Sequence, residues 1–188
     1  MRLCVSTDWP SQSSTSVLIV INTSVIASVE GAFRYIRNYP YFCWEQILTK
    51  AVMASHFQKL KSYMPDSLKW PESEKLPQST LNEAVGFQAP NGGMTYFVAQ
   101  DRYAAPYLSA YTALAFNWLR TAGYKVPEKV EEKLHGYLLN FLRQNVAPHF
   151  YTEGMSSTIR AVALAALAEN GKITKSDLDR YEPHIPQM

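Results

Sequence analysis

The sequence predicts an all-α domain of helical hairpins, preceded by a short β segment. Three observations carry this. From Ser24 onward, apolar residues recur at steps of three and four, the period of amphipathic helices. Prolines and glycines fall where such helices would start and stop. Two stretches, SAYTALAFNWLRTAG (109–123) and STIRAVALAALAENG (157–171), share Ser, two Ala, Leu and a closing Gly in register. Self-similarity at that spacing is what stacked helical repeats produce.

The elements follow in order. After a polar, turn-rich opening, TSVLIVI (15–21) is β-branched and bounded by polar residues, so it reads as one strand. A lone strand is not stable by itself, and nothing later in the chain reads as its partner. Residues 24–37 form a first helix on Val25, Ile26, Val29, Phe33 and Ile36. A second runs from Tyr41 to about Met64 and is closed by Pro65. The stretch 65–78, with three prolines, is expected to be a loop, and Ser79 or Thr80 to cap a short helix over 80–88. APNGGM (89–94) is a tight turn with glycines free to take positive φ. Helices are then expected over 106–122, from Pro127 to about Gln144, over 154–169, and over 174–181.

Composition excludes several classes. At 188 residues the chain is long enough for one ordinary core, and with 47% hydrophobic residues it is globular. A net charge of +2, with Lys and Arg scattered, argues against nucleic acid. VLIVINTSVIA (17–27) is too short and too interrupted to span a membrane, and MRLCVSTDW lacks the apolar core of a signal peptide. Two cysteines make neither a disulfide framework nor a zinc site alone, so no metal and no cofactor are expected.

The informative stretch is YPYFCWEQ (39–46). Pro40 followed by a helical pattern places Cys43 in or near a first helical turn, where residues three apart share a face. Cys43 and Gln46 can therefore meet. A helix N-terminus also favours a thiolate, because its unpaired N–H groups stabilise negative charge. Attack of that thiolate on the Gln46 carboxamide would expel ammonia and leave an internal thioester, a stored acyl donor. Water would hydrolyse such a bond, so it has to be kept dry. Tyr39, Tyr41, Phe42 and Trp44 are candidates for an aromatic cover. Core packing and a simple thiol nucleophile remain alternative readings of the same residues.

The surrounding sequence adds a resemblance. CWEQ fits the C-x-E-Q thioester signature of the α2-macroglobulin and complement family, and YPYFCWEQ looks like the Y-P-Y-x-C-x-E-Q form of its bacterial members. SVEGAFRYIRN (28–38) resembles the helix before that motif. FQAPNGGMTYF (87–97) resembles the family's Q-x-x-x-G-G turn, and PYLSAYTALAFNWLRTAGYKVP (106–127) the helix after it. The resemblance runs over roughly 24–170, in order.

It implies a partial α/α toroid, inner and outer rings of hairpins, over residues 23–188, incomplete at the C-terminus, with YEPHIPQM near the start of a further helix. Residues 1–22 would be a β segment of an adjoining domain, and the chain a piece of a much larger protein. It implies a periplasmic or extracellular protease trap in which Cys43 is the thioester sulfur and Gln46 the acyl carbon. Target proteases would be captured through their lysine amines, with other domains of the same protein as further partners. Glu45 fills the family's Glu position, and Tyr39 matches a tyrosine proposed to shield the bond, with Tyr41 and Trp44 in support. Animal members usually carry glycines where this chain has Phe42 and Trp44. His149 lies at roughly the distance of a histidine that steers acyl transfer in some members, although its local motif differs. His56 is expected to be partly buried and His135 solvated. The alternative class is a helical scaffold or interaction domain without the bond; a cysteine hydrolase lacks an oxyanion-hole motif and an orienting Asn or Asp.

Overall fold

The computed structural model describes residues 2–5, 17–20, 25–98, 103–144 and 147–183. Two short strands come first, β1 (Arg2–Val5) and β2 (Val17–Val20). They pair antiparallel, with Arg2 opposite Val20 and Val5 opposite Val17. The strand expected at 15–21 therefore finds a partner earlier in its own chain; Thr15, Ser16 and Ile21 lie outside the described residues. Four residues, RLCV, are too few to show a period of two, which is why that partner went unread.

The helices are α1 (Val25–Arg37), α2 (Trp44–Leu60), α3 (Leu76–Glu83), α4 (Pro106–Thr121), α5 (Glu128–Gln144), α6 (Glu153–Ala168) and α7 (Lys175–Asp179). α2 packs on α4 and α4 on α6, making one row. α3 lies against α2, and α5 against both α4 and α6, making a second layer. This is the all-α hairpin architecture of a toroid segment. α4 is the middle of the row and is buried on most sides, including Leu108, Ser109, Ala113, Phe116 and Leu119. α5 buries one face, Val130, Leu134, His135, Leu138, Phe141 and Leu142, as a helix of the outer layer does.

The echoed sequences fold alike. Gly123 and Gly171 both take positive φ, +94° and +64°. After each, the next N–H reaches back to an equivalent leucine carbonyl: Tyr124 to Leu119 at 3.0 Å and Lys172 to Leu167 at 3.1 Å. These are paired C-terminal caps of one kind. The two helices touch each other through small residues and amides: Asn117 Nδ2 donates to the Ala166 carbonyl at 2.9 Å, and Asn170 Nδ2 to Asn117 Oδ1 at 2.9 Å.

The stretch 65–78 is a loop only over 65–70; a 3-10 turn, Pro71–Glu74, and the start of α3 take up the rest. A further 3-10 turn, Lys61–Tyr63, follows α2. Met64, Leu68 and Trp70 bury there with Phe33 of α1 and Phe57 of α2 in a second apolar cluster. α3 begins at Leu76, with Pro77 in its first turn, where a missing N–H costs nothing. Ser79 and Thr80 are thus interior, and the Ser79 hydroxyl donates backward to the Leu76 carbonyl at 3.0 Å. Residues 184–188, where a further helix was expected to begin, lie outside the described residues.

Two histidines sit differently from expectation. His56 is exposed. His135 is buried, its Nε2 3.7 Å from Glu131 Oε1, because α5 turns that position toward α4 and α6. Burial first, and then Lys172 and Arg120, hold its pKa below the ordinary 6.5, against the opposing pull of Glu131. The folded state keeps His135 neutral, while the unfolded chain takes up a proton near 6.5. Stability should be full above that value and decline as pH falls through it toward the lower folded-state value. Urea titrations across this range check it, with His135→Gln expected to flatten the decline.

The turn at 89–94 is wedged between layers. Gly92 has φ +92°, and a Cβ there would lie 2.4 Å from the Lys133 carbonyl oxygen. Gln88 Nε2 ties the turn to α5 through the Gly92 and Val130 carbonyls, at 2.9 and 2.8 Å. Gly92→Val should destabilise the fold by at least about 1–2 kcal/mol from the backbone alone, readable as a lower urea midpoint.

Candidate functional site

α2 begins where Cys43 takes an extended conformation (φ −73°, ψ 161°) and its carbonyl accepts from the N–H groups of Gln46 and Ile47, both at 3.0 Å. Cys43 is therefore the N-cap, in the position that serine or threonine usually fills. Gln46, three residues on, reaches back: its Oε1 accepts from the Cys43 backbone N–H at 3.1 Å. This is the glutamine half of a capping box. The cap places the Cys43 thiol and the Gln46 carboxamide on one turn. The N–H on Oε1 also draws electrons from the carboxamide carbon, which makes it a better electrophile. Cys43 itself is half-buried.

The next two residues lock that turn onto the row of helices. Trp44 is fully buried. Its backbone N–H donates to the Tyr96 carbonyl at 2.8 Å, its Nε1 to Thr112 Oγ1 of α4 at 2.9 Å, and its ring stacks on Phe87 at 5.0 Å. Glu45 accepts from the Tyr107 hydroxyl at 2.8 Å. Thr49 Oγ1 donates to the Glu45 carbonyl at 2.7 Å and lies 2.8 Å from the Tyr111 hydroxyl. Tyr107 and Tyr111 stack along α4, 6.5 Å apart with planes 8° off parallel. Burial, then the bond to Glu45, push the Tyr107 hydroxyl well above the ordinary phenol range, so it stays a donor.

The aromatic residues flanking Cys43 do not form one cover. Trp44 turns into the core, and Phe42 and Tyr41 stand 74% and 65% exposed. Tyr39 is half-buried between Tyr35 and Tyr41, ring centroids 5.4 Å away on each side. His149 lies in a turn, exposed, its ring edge-on to Phe150 at 5.5 Å. It lines a cleft with Tyr103, Tyr137 and Asn140, and among the described residues no hydrogen bond or ring contact joins it to Cys43 or Gln46. Among the described residues no three His, Cys, Asp or Glu side chains gather as a metal site.

Sequence reasoning missed Tyr96, Tyr107, Tyr111 and Thr112. The i, i+4 pair Tyr107 and Tyr111 was a visible stripe, but which helix it faced depended on tertiary packing.

Comparison with known proteins bears on the fold. A curated protein from Yersinia pestis, an alpha-2-macroglobulin homolog, is 25% identical to this chain over 168 residues, 88% of the chain. The native conformation of E. coli alpha-2-macroglobulin superposes with a TM-score of 0.75 at 16% identity over 86% of the chain. The chain is thus similar in sequence to one bacterial alpha-2-macroglobulin homolog and in fold to another. Salmonella alpha-2-macroglobulin reacted with methylamine matches with a TM-score of 0.72 at 20% identity, again over 86% of the chain. The chain spans 8% of the Yersinia protein, 10% of the E. coli chain and 11% of the Salmonella chain. No family model matches it. Among the described residues no helix is long and apolar enough to cross a membrane.

If the Tyr107–Glu45 bond holds α2 to α4, a double-mutant cycle of Tyr107→Phe and Glu45→Gln should give a coupling of about 0.5–1.5 kcal/mol in urea unfolding. A coupling near zero would remove the bond from the account of how the cap is held.

Proposed function

We propose that residues 23–188 are part of the thioester domain of a bacterial alpha-2-macroglobulin-like protease inhibitor, and that Cys43 and Gln46 form its internal thioester. The observation that carries the reading is the helix cap: Gln46 Oε1 accepts the Cys43 N–H at 3.1 Å, on the turn where the thiol stands. Bond formation joins the Cys43 sulfur to the Gln46 side-chain carbon and releases ammonia. In the reverse sense, a lysine amine of a target protease attacks that carbon, the C–S bond breaks and the thiol is freed. The whole protein would be periplasmic or extracellular, an inhibitor reacting once rather than an enzyme. β1 and β2 would belong to an adjoining domain.

Within that reading Trp44 is an anchor rather than a lid. Tyr39, half-buried ahead of the cap, is the ring assigned to slow access of water, with the Tyr41 ring edge-on to it. Glu45 holds the turn to α4 through Tyr107. His149, in its exposed turn, is given no part in this reading.

Intact-mass spectrometry of the denatured chain should show the sequence mass less one ammonia, and methylamine should add its own mass while freeing one thiol. Cys43→Ala and Gln46→Ala should each abolish conjugation with little change in circular dichroism, since both side chains lie outside the core. Tyr39→Ala should speed the methylamine reaction severalfold. The full sequence mass with a freely titratable Cys43 thiol in folded protein would count against the thioester.

A further inference from the structure

Beside the cap lies an open cleft of about 530 Å³. Tyr96, Tyr103, Tyr107 and Tyr151 supply its walls, with Phe150 and Ile159 among its apolar lining. It adjoins the cap through two direct links. The Tyr96 carbonyl accepts the Trp44 N–H, and the Tyr107 hydroxyl donates to Glu45, the neighbour of Gln46. None of the described lining residues is Lys or Arg.

We propose that this tyrosine-lined cleft is a docking subsite for alkylammonium groups, receiving the lysine side chain that is to be acylated; this rests on the thioester reading above. An ammonium is attracted to the negative face of an aromatic ring, and four such rings meet here. Tyr107 donates its hydroxyl proton to the Glu45 carboxylate at 2.8 Å, which enriches its ring in electrons and sets a negative charge behind one wall of the cleft. Burial raises the pKa of all four phenols, so the rings are neutral and their hydroxyl dipoles intact at ordinary pH. Phe150 and Ile159 suit the methylenes of the lysine stem. A purely apolar guest gains nothing from the carboxylate, and an acidic one is repelled by it.

The subsite has a chemical use. It gathers lysine side chains beside the cap in the protonated form that prevails in water. An ammonium that moves from the rings to the cap first gives its proton to solvent; the free amine then adds to the Gln46 carbon, and the C–S bond breaks. Cys43 leaves as thiolate and is reprotonated. Ammonium and thioester have become amide and thiol, with one proton released.

The test is done on Cys43→Ala, where no acyl transfer is possible, with n-butylammonium and its neutral counterpart n-butanol as probes, followed through tyrosine ring signals by NMR. The cation should bind at least about fivefold more tightly than the alcohol. Tyr103→Leu and Glu45→Gln should each cut that preference by half or more, while n-butanol affinity moves less than twofold. Equal or tighter binding of n-butanol overturns the proposal and makes the cleft an apolar groove. So does a preference that survives both substitutions. Because the probes need no thioester, a chain that shows the cation preference but no ammonia loss sinks the thioester reading alone. A chain that forms the thioester without the preference sinks only the subsite.

Discussion

The burial of Trp44 is the constraint on which the site depends. One residue past the cap, it commits its backbone N–H to Tyr96, its ring nitrogen to Thr112 and its ring face to Phe87. Burying a side chain of this size contributes on the order of 3 kcal/mol from apolar area, and its polar edge is satisfied. The start of α2 can neither fray nor rotate without giving up all of these contacts. Cys43 and Gln46 therefore stay on one turn, facing the outside of a helix whose first residue belongs to the core. A Cys and a Gln at an ordinary frayed helix end would sample many separations. Here the geometry of their turn is set by the neighbouring Trp44.

The layered helices supply the partners for that anchor. Phe87 and Tyr96 flank the glycine turn, and Thr112 lies on α4. That turn is held in place by Gln88 reaching α5 and by Ser109 accepting the Met94 N–H at 2.8 Å. The same row of helices recurs in α4 and α6, with their matched leucine carbonyls and left-handed glycines. Repetition explains the economy of the arrangement: one kind of cap and one small-residue contact serve twice. The cleft of tyrosines arises where the row meets the connecting segments, next to the cap and open to solvent.

Much of this was legible in the residues. Periodicity with proline and glycine punctuation located α1, α2 and α4 to α7 within a few positions, because amphipathic spacing reports one buried face and both layers of a hairpin stack need one. α3, expected over 80–88, lies at Leu76–Glu83. Gly92, Gly123 and Gly171 were readable as stops and turns since no other residue accepts positive φ cheaply. Pro40 before a helical pattern put Cys43 near a helix start, although α2 begins at Trp44 rather than Tyr41, with Cys43 as its N-cap. What the residues hid was contact between distant segments. RLCV paired with β2 without a pattern of its own. Trp70, Met64 and Leu68 turned a proline-rich stretch into a second core. His135 looked solvated beside Lys and Glu, yet α5 turned it inward.

The sequence by itself determined that the protein is a stack of helical hairpins and that Cys43 and Gln46 share a helical turn, because both follow from local spacing along one helix. Only the tertiary structure decided which of four flanking aromatics is an anchor and which face solvent. It also decided that Glu45 pairs with Tyr107 and that four tyrosines from separate segments meet beside the cap. Those outcomes depend on how helices cross, and a side chain's neighbours across a crossing are not encoded in its own neighbourhood along the chain.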